Sequence, residues 1–376
     1  MTVAEATRHP ARAPTKAPSK APRKGPPAWT DPLFYYAVRA LAAVPLIAGV
    51  DPSVRVADKI GHWFGSRKFN RKRIDRAIAA IEHGMPGIDR GRAEELALGA
   101  YGHLCRLAVE VAYLPRLITP EGLAERVELE NVDPVIRALS EKRPLIFTTG
   151  HCGNWEVSAY VLGLLGFPLN ALYRPLDNKP LDRWLRETRG RRGVTLVDKF
   201  GAMRDLPESM SKGEPVAFVC DQNGGDRGLF VPYFGRLAST YKSIALLALK
   251  HDAIIVSGNS ERLPFTDAGP RYRVVINDVF GPEDYRSHPH PAFYLTARYR
   301  RSMEQLIRRV PEQYLWIHRM WKSRPLHERQ NKPFPERLKD QLRSLPWMTE
   351  DELDGIIRTS DSDRALLAEL GTDRLP

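Results

Sequence analysis

At 376 residues, 43% of them hydrophobic, the chain has material for one large domain or two small ones with a full core, which excludes a wholly disordered protein. A formal net charge of +12 favours anionic partners: nucleic acid, phosphorylated small molecules or a membrane surface rich in acidic lipid. Cys105, Cys152 and Cys220 are widely spaced with no CxxC pair, which argues against a disulfide framework or a zinc module and fits a reducing compartment.

No cleavable signal peptide is evident. Residues 1–29 carry an Ala/Pro/Lys repeat that buries nothing and reads as an extended solvated tail or a polybasic arm on acidic lipid. Residues 32–50, "PLFYYAVRALAAVPLIAGV", are almost all apolar, but Arg39 and Pro45 interrupt the run and basic residues flank both sides. That pattern suits a helix lying in the membrane interface better than one crossing it; a buried core helix is the alternative. We therefore take residues 30–66 as a membrane-associating segment. From 74 to about 115 apolar residues recur three and four apart, as helices require.

Beyond 115, strand-like and helix-like runs alternate. Residues 144–149, 169–174, 194–198, 216–220 and 253–259 read as strands, with "YRVVIND" following as a further one. Helices are expected over 154–165, 180–191, 239–250 and 292–310. The order predicts an α/β fold with a mostly parallel central sheet flanked by helices, spanning residues 67–335. Residues 336–376 form an acidic extension with two short helices, the first opened by a Thr349–Glu352 capping box and the second ending at Gly371.

The stretch "TTGHCGNWE" packs a histidine, a cysteine and a glutamate just past an apolar strand, where α/β proteins place their chemistry. Zinc is the weakest reading, because His151 and Glu156 lie about 140° apart on an ideal helix and no other ligand cluster is close in sequence. A Cys152 nucleophile lacks a base suitably placed to hold its thiolate. A loop histidine with no chemistry is a third reading. The fourth is a dyad with His151 as general base and Glu156 orienting its imidazole, able to deprotonate a substrate hydroxyl for acyl transfer from a thioester.

"GHCGNWE" resembles the H-x4-D/E signature as it occurs in the bacterial lipid A biosynthesis lauroyl/myristoyl acyltransferases, within the lysophospholipid acyltransferase-like superfamily. Three further blocks follow in that family's order: "LYRPLDNKPLDRWLRETRGRRG" (172–193), "DQNGGDRGLFVPYFGRLAST" (221–240) and "PEQYLWIHRMWKSRP" (311–325). The similarity covers roughly residues 35–330. It implies a glycerol-phosphate-acyltransferase-like fold and an enzyme on the cytoplasmic face of the inner membrane. Such an enzyme transfers a fatty acyl chain, usually from acyl carrier protein, to a hydroxyl of a glycolipid, with no cofactor and no metal.

On that resemblance His151 and Glu156 are the expected catalytic pair. Arg174 would bind phosphate or the thioester oxyanion, and Asp221 and Gln222 would orient Arg174 or the acceptor sugar. Asn154 is a further substrate contact, and Arg189, Arg191 and Arg192 would meet a headgroup or the carrier protein. Trp316, His318, Trp321 and Lys322 read as interfacial or core residues without a catalytic role. The expected partners are acyl carrier protein, a glycolipid acceptor and an acidic membrane surface. Where the family has its Asn-Leu…Phe-Pro stretch this chain has "RAIAAIEHGMPG", and "STYKS" replaces a Thr-Pro/Gly element; both leave the acceptor open. Rival expectations are an acyltransferase for phosphatidylinositol mannosides or ornithine lipids, a catalytically dead membrane scaffold and a basic nucleic-acid-binding protein. The last lacks a helix-turn-helix, zinc or RNP-type pattern, so nucleic acid is not an expected partner.

Overall fold

The computed structural model describes residues 30–190, 193–198, 202–264, 266 and 269–375. The basic tail expected over 1–29 lies outside them.

Four helices lead the chain: α1 (Thr30–Ala48), α2 (Val50–Gly65), α3 (Arg71–Gly84) and α4 (Arg90–Leu117). An alternating region follows, with α5 (Leu123–Arg126), β1 (Val127–Glu130), α6 (Asp133–Ser140), β2 (Leu145–Thr149), α7 (Trp155–Leu164), β3 (Leu169–Tyr173) and α8 (Lys179–Gly190). It continues through β4 (Val194–Asp198), α9 (Ala202–Ser211), β5 (Val216–Val219), β6 (Leu229–Tyr233), β7 (Arg236–Thr240), α10 (Lys242–His251), β8 (Ile254–Arg262) and β9 (Tyr272–Phe280). The remaining helices are α11 (Pro282–Tyr285), α12 (Pro291–Arg309), α13 (Leu326–Arg329), α14 (Glu336–Arg343) and α15 (Glu350–Leu370).

Seven strands form one sheet in the order β1-β9-β8-β2-β5-β3-β4. The five from β8 to β4 are parallel; β9 is antiparallel to β8 and parallel to β1. This is the expected α/β fold with a mostly parallel sheet. The strand order turns back at β2, whose neighbours β8 and β5 come much later in the chain, and ligands bind at such switch points beyond the carboxyl ends of strands. On one face Ile146, Val216, Phe218 and Ile255 pack with α10 and α12 into the main core. On the other face α6 and α7 cover Leu145, Ile254 and Val256.

Two local expectations are corrected. The helix expected from 239 starts at Lys242, because residues 236–240 pair with β6 in a hairpin. Its turn is Phe234-Gly235, both with positive φ (53° and 70°), the geometry two-residue hairpins favour. Phe234 tolerates this conformation because it is buried and its N–H donates to Glu304 Oε2 at 2.6 Å. At the C-terminus the two short helices are one continuous α15, running through "TSDSD". Those weak helix formers are held by burial: Ser360 Oγ donates to Glu328 Oε1 at 2.6 Å, and Asp363 pairs with Arg324 at 2.8 Å. The Thr349–Glu352 capping box is present. The helix expected over the apolar run is present as α1, continuous through position 45 and ended before Gly49, with φ of 90°.

Among the described residues α1 is the one helix long and apolar enough to cross a membrane. None of its apolar stretch is buried. It packs beside α2, α4 and α8, with Arg39 stacked on Trp184 and Asn178 donating to the Asp31 carbonyl. Next to it α2 crosses α4 so closely that a Cβ on Gly61 would lie 2.4 Å from the Tyr101 carbonyl oxygen.

Candidate active site

The site forms where β2 and β5 end side by side. Thr149 and Val219 are register partners, and the Cys220 N–H continues the ladder to the Thr149 carbonyl at 2.9 Å. The residues that follow, Gly150-His151 and Asp221, therefore emerge together. Asp221 clasps His151 with both carboxylate oxygens. Oδ2 accepts the backbone N–H at 2.9 Å and Oδ1 faces Nδ1 at 2.7 Å.

This clasp fixes the chemistry of the imidazole. Burial alone would raise the Asp221 pKa, but the charge and hydrogen bonds of His151 outweigh it and hold the carboxyl far below the ordinary range. Asp221 is thus an acceptor at neutral pH, Nδ1 carries the proton, and Nε2 is left with its lone pair. For His151, burial lowers the pKa, whereas the Asp221 charge and hydrogen bond raise it, with a net upward shift.

The expected pairing of His151 with Glu156 is not the one the structure shows. Glu156 makes a two-pronged ion pair with Arg189, from Nε at 3.0 Å and from Nη2. The reason is positional: His151 precedes α7 and faces β5, whereas Glu156 sits in the first turn of α7 and faces α8. Sequence reading placed Asp221 near the site but gave it another role, since the adjacency of β2 and β5 is a tertiary fact that no local spacing encodes.

The loop between β2 and α7 is held rigidly. Gly153 has φ of 64°, and a Cβ there would meet the Ser260 carbonyl oxygen at 2.0 Å, so only glycine fits against β8. The Asn154 N–H donates to that same carbonyl at 2.7 Å. Asn154, expected to touch substrate, has an inward role: Oδ1 caps α7 by accepting from Glu156 N, and Nδ2 donates to Glu110 Oε2 at 2.9 Å. Glu110 in turn pairs with buried Arg262 at 2.5 Å, whose Nη1 meets His103 Nδ1 at 2.7 Å. Burial, then Arg262, pushes the His103 pKa well down, leaving a neutral ring that accepts from the guanidinium.

The late block closes the site from the other side. Gly153 N donates to Gln313 O at 2.9 Å and Leu315 N to His151 O at 3.0 Å. This brings His318 against the His151 imidazole, with ring centroids 4.6 Å apart and planes tilted by 59°. Trp155 meets the His151 ring edge-on at 4.9 Å. Trp316 and Trp321 are buried, so of the two readings the core one holds for them. Sequence reading gave His318 no catalytic role; its approach to His151 follows from a contact 167 positions along the chain (318 − 151).

Cys152 is buried, receives a hydrogen bond from Asn259, and burial pushes its thiol pKa far up, which disarms it as a nucleophile. Arg174 and Gln222 follow β3 and β5, are exposed, and have no hydrogen bond or ion pair among the described residues. Arg191 and Arg192 lie outside the described residues.

Beside the site a cavity of about 160 Å³ runs between the sheet and α6–α7. Phe147, Ala171, Ala217 and Val219 on the sheet and Val135 and Leu162 on the helices make its walls apolar. Glu156 and Arg189 are the two charged side chains among its described lining residues.

Residues 20–323 match the family model described as bacterial lipid A biosynthesis acyltransferase. The chain belongs to that family. Among its relatives, the lipid A biosynthesis palmitoleoyltransferase of Escherichia coli K12 is 31% identical over 205 residues, 54% of this chain and 63% of the relative. The lipid A biosynthesis lauroyltransferase of the same organism is 28% identical over 206 residues, 54% of this chain and 64% of the relative. A lipid A biosynthesis acyltransferase of Haemophilus influenzae is 22% identical over 279 residues, 72% of this chain and 81% of the relative. The family membership covers all four blocks that carry the site up to residue 323.

Proposed function

We propose that this chain transfers a fatty acyl group from a thioester, with acyl carrier protein as the expected carrier, to a hydroxyl of a lipid A precursor. The observation that carries the reading is the Asp221 clasp on His151, which leaves Nε2 as a base at the switch point of the sheet and close to an apolar cavity.

His151 Nε2 takes the proton from the acceptor hydroxyl as its oxygen bonds to the thioester carbonyl carbon. The carbonyl electron pair moves onto oxygen, giving a tetrahedral intermediate beside an imidazolium that Asp221 stabilises. Collapse re-forms the carbonyl, breaks the carbon–sulfur bond, and the departing thiolate takes the proton from His151. Atoms and charge balance without a protein nucleophile, consistent with the buried state of Cys152.

The apolar cavity suits the hydrocarbon chain, and the Glu156–Arg189 pair at its lining gives a polar mouth. Arg174, exposed at the end of β3, is free to meet an acceptor phosphate. The exposed apolar side chains of α1, with Arg55, Lys59, Arg67, Lys68 and Arg71 exposed just after it, suit attachment to an acidic inner-membrane surface on the cytoplasmic side.

The test is mass spectrometry of products from acyl-carrier-protein thioesters and a tetra-acylated lipid A precursor, using wild type and His151→Ala. One added acyl chain with wild type alone supports donor, acceptor and base together. No product from either removes lipid A as acceptor and turns the search to other hydroxylated glycolipids. Equal product from both means His151 is not the base.

A further inference from the structure

We propose that His318 is a second catalytic imidazole, whose Nε2–H donates a hydrogen bond to the thioester carbonyl oxygen as that oxygen becomes negative. The proposal rests on the acyl-transfer reading above and assigns the group that this reading leaves open, the stabiliser of the oxyanion.

Three observations converge on it. The first is contact: the His318 and His151 rings are 4.6 Å apart between centroids, so a group bound against one imidazole lies beside the other. The second is an unanswered polar atom. His318 Nε2 is buried, yet among the described residues it has no hydrogen-bond partner. Buried polar atoms are nearly always paired, and an orphan in a site is what a preorganised donor looks like before its substrate arrives. The third is rigidity. The segment bearing His318 is stitched to the loop bearing His151 by the Gly153–Gln313 and Leu315–His151 backbone bonds, and His318 N donates to Leu315 O at 3.1 Å. The two rings therefore hold a fixed relation, as electrostatic stabilisation requires.

The charge states agree. Burial lowers the His318 pKa; Asp221 opposes this and His151 adds to it, with a net downward shift. Among the described residues no carboxylate bonds to the His318 ring, in contrast to His151. During turnover His151 holds the proton and His318 stays neutral, donating from Nε2 without giving its proton up. Arg174, the sequence-level candidate for the oxyanion, is exposed and follows a strand not adjacent to β2.

The experiment compares His318→Leu, His318→Gln and His318→Asn with wild type in steady-state acyl transfer from a lauroyl thioester to the lipid A precursor. Glutamine places an N–H near the Nε2 position; asparagine places one near Nδ1. Leucine is expected to lower kcat by roughly 10²–10³-fold with little change in donor KM. Glutamine should recover at least about tenfold of that loss and asparagine should not, since only a donor at the outer position reaches the oxygen. If the leucine variant does not fold, the glutamine–asparagine contrast still decides. A second readout is the infrared carbonyl stretch of lauroyl-coenzyme A bound without acceptor, which should lie lower in wild type and His318→Gln than in His318→Asn. Unchanged kcat in His318→Leu, or equal behaviour of glutamine and asparagine in both readouts, overturns the role of His318 while leaving acyl transfer standing. A wild-type chain that acylates no acceptor from any thioester overturns the acyl-transfer reading, and this proposal with it.

Discussion

Asp221 decides which nitrogen of His151 does the work, and its removal has a specific signature. Asp221→Asn keeps the shape but ends the charge that raises the His151 pKa, leaving burial to lower it. A base works only when unprotonated, so the wild-type acid limb of kcat/KM lies above the ordinary histidine value. In Asp221→Asn that limb moves to lower pH, and the plateau falls by roughly 10³–10⁴-fold because the amide no longer enforces the Nδ1–H tautomer. Glu156→Gln should leave the limb where it is, since Glu156 bonds to Arg189 and not to the imidazole. A pH–rate profile of the three proteins separates the two acids; a limb that shifts with Glu156 and not with Asp221 would restore the pairing expected from H-x4-E. That expectation shows what spacing can and cannot deliver. The histidine was legible, because it follows an apolar strand and opens a helix. Its partner was not, because two carboxylates lay within range of plausible roles and only the pairing of β2 with β5 selects between them.

Elements report on packing that single residues hide. Where α15 docks on the body, Arg324 is fully buried between Glu328 at 2.7 Å and Asp363 at 2.8 Å, and donates to the Leu237 carbonyl at 2.6 Å. Arg324→Met strands two buried carboxylates and should cost about 3–5 kcal/mol, read as a lower denaturant midpoint. Gly61→Ala places a methyl 2.4 Å from a backbone oxygen where α2 crosses α4 and should cost about 1–3 kcal/mol, with faster proteolysis around Gly49. The sequence-level reading found most core strands and the helices between them, because hydrophobic runs of the right length are local signals. It missed the β6–β7 hairpin, whose turn uses Phe234 where asparagine or aspartate is usual, and it split α15 at "TSDSD", where tertiary ion pairs override poor helix propensity.

At the scale of the whole molecule, one flank is apolar and basic while the site lies at the strand ends. Leu33, Leu41 and Ile47 on α1 and Ile60 and Trp63 on α2 are exposed, and Arg67 stacks on Trp63. Co-sedimentation with vesicles containing acidic lipid should be strong at low salt and weaken as salt rises. Leu41→Asp with Ile47→Asp should release the protein from vesicles without moving its melting temperature; retained binding would assign attachment to other residues. The stitching of the His151 loop to residues 313–315 also sets a clock on the growing chain. His151 and Asp221 are both made by residue 221, but the backbone that fixes the loop arrives only with Gln313 and Leu315. A growing chain that already carries α1 to α4 and the His151 loop thus lacks the bonds that hold that loop until residue 315 has been made.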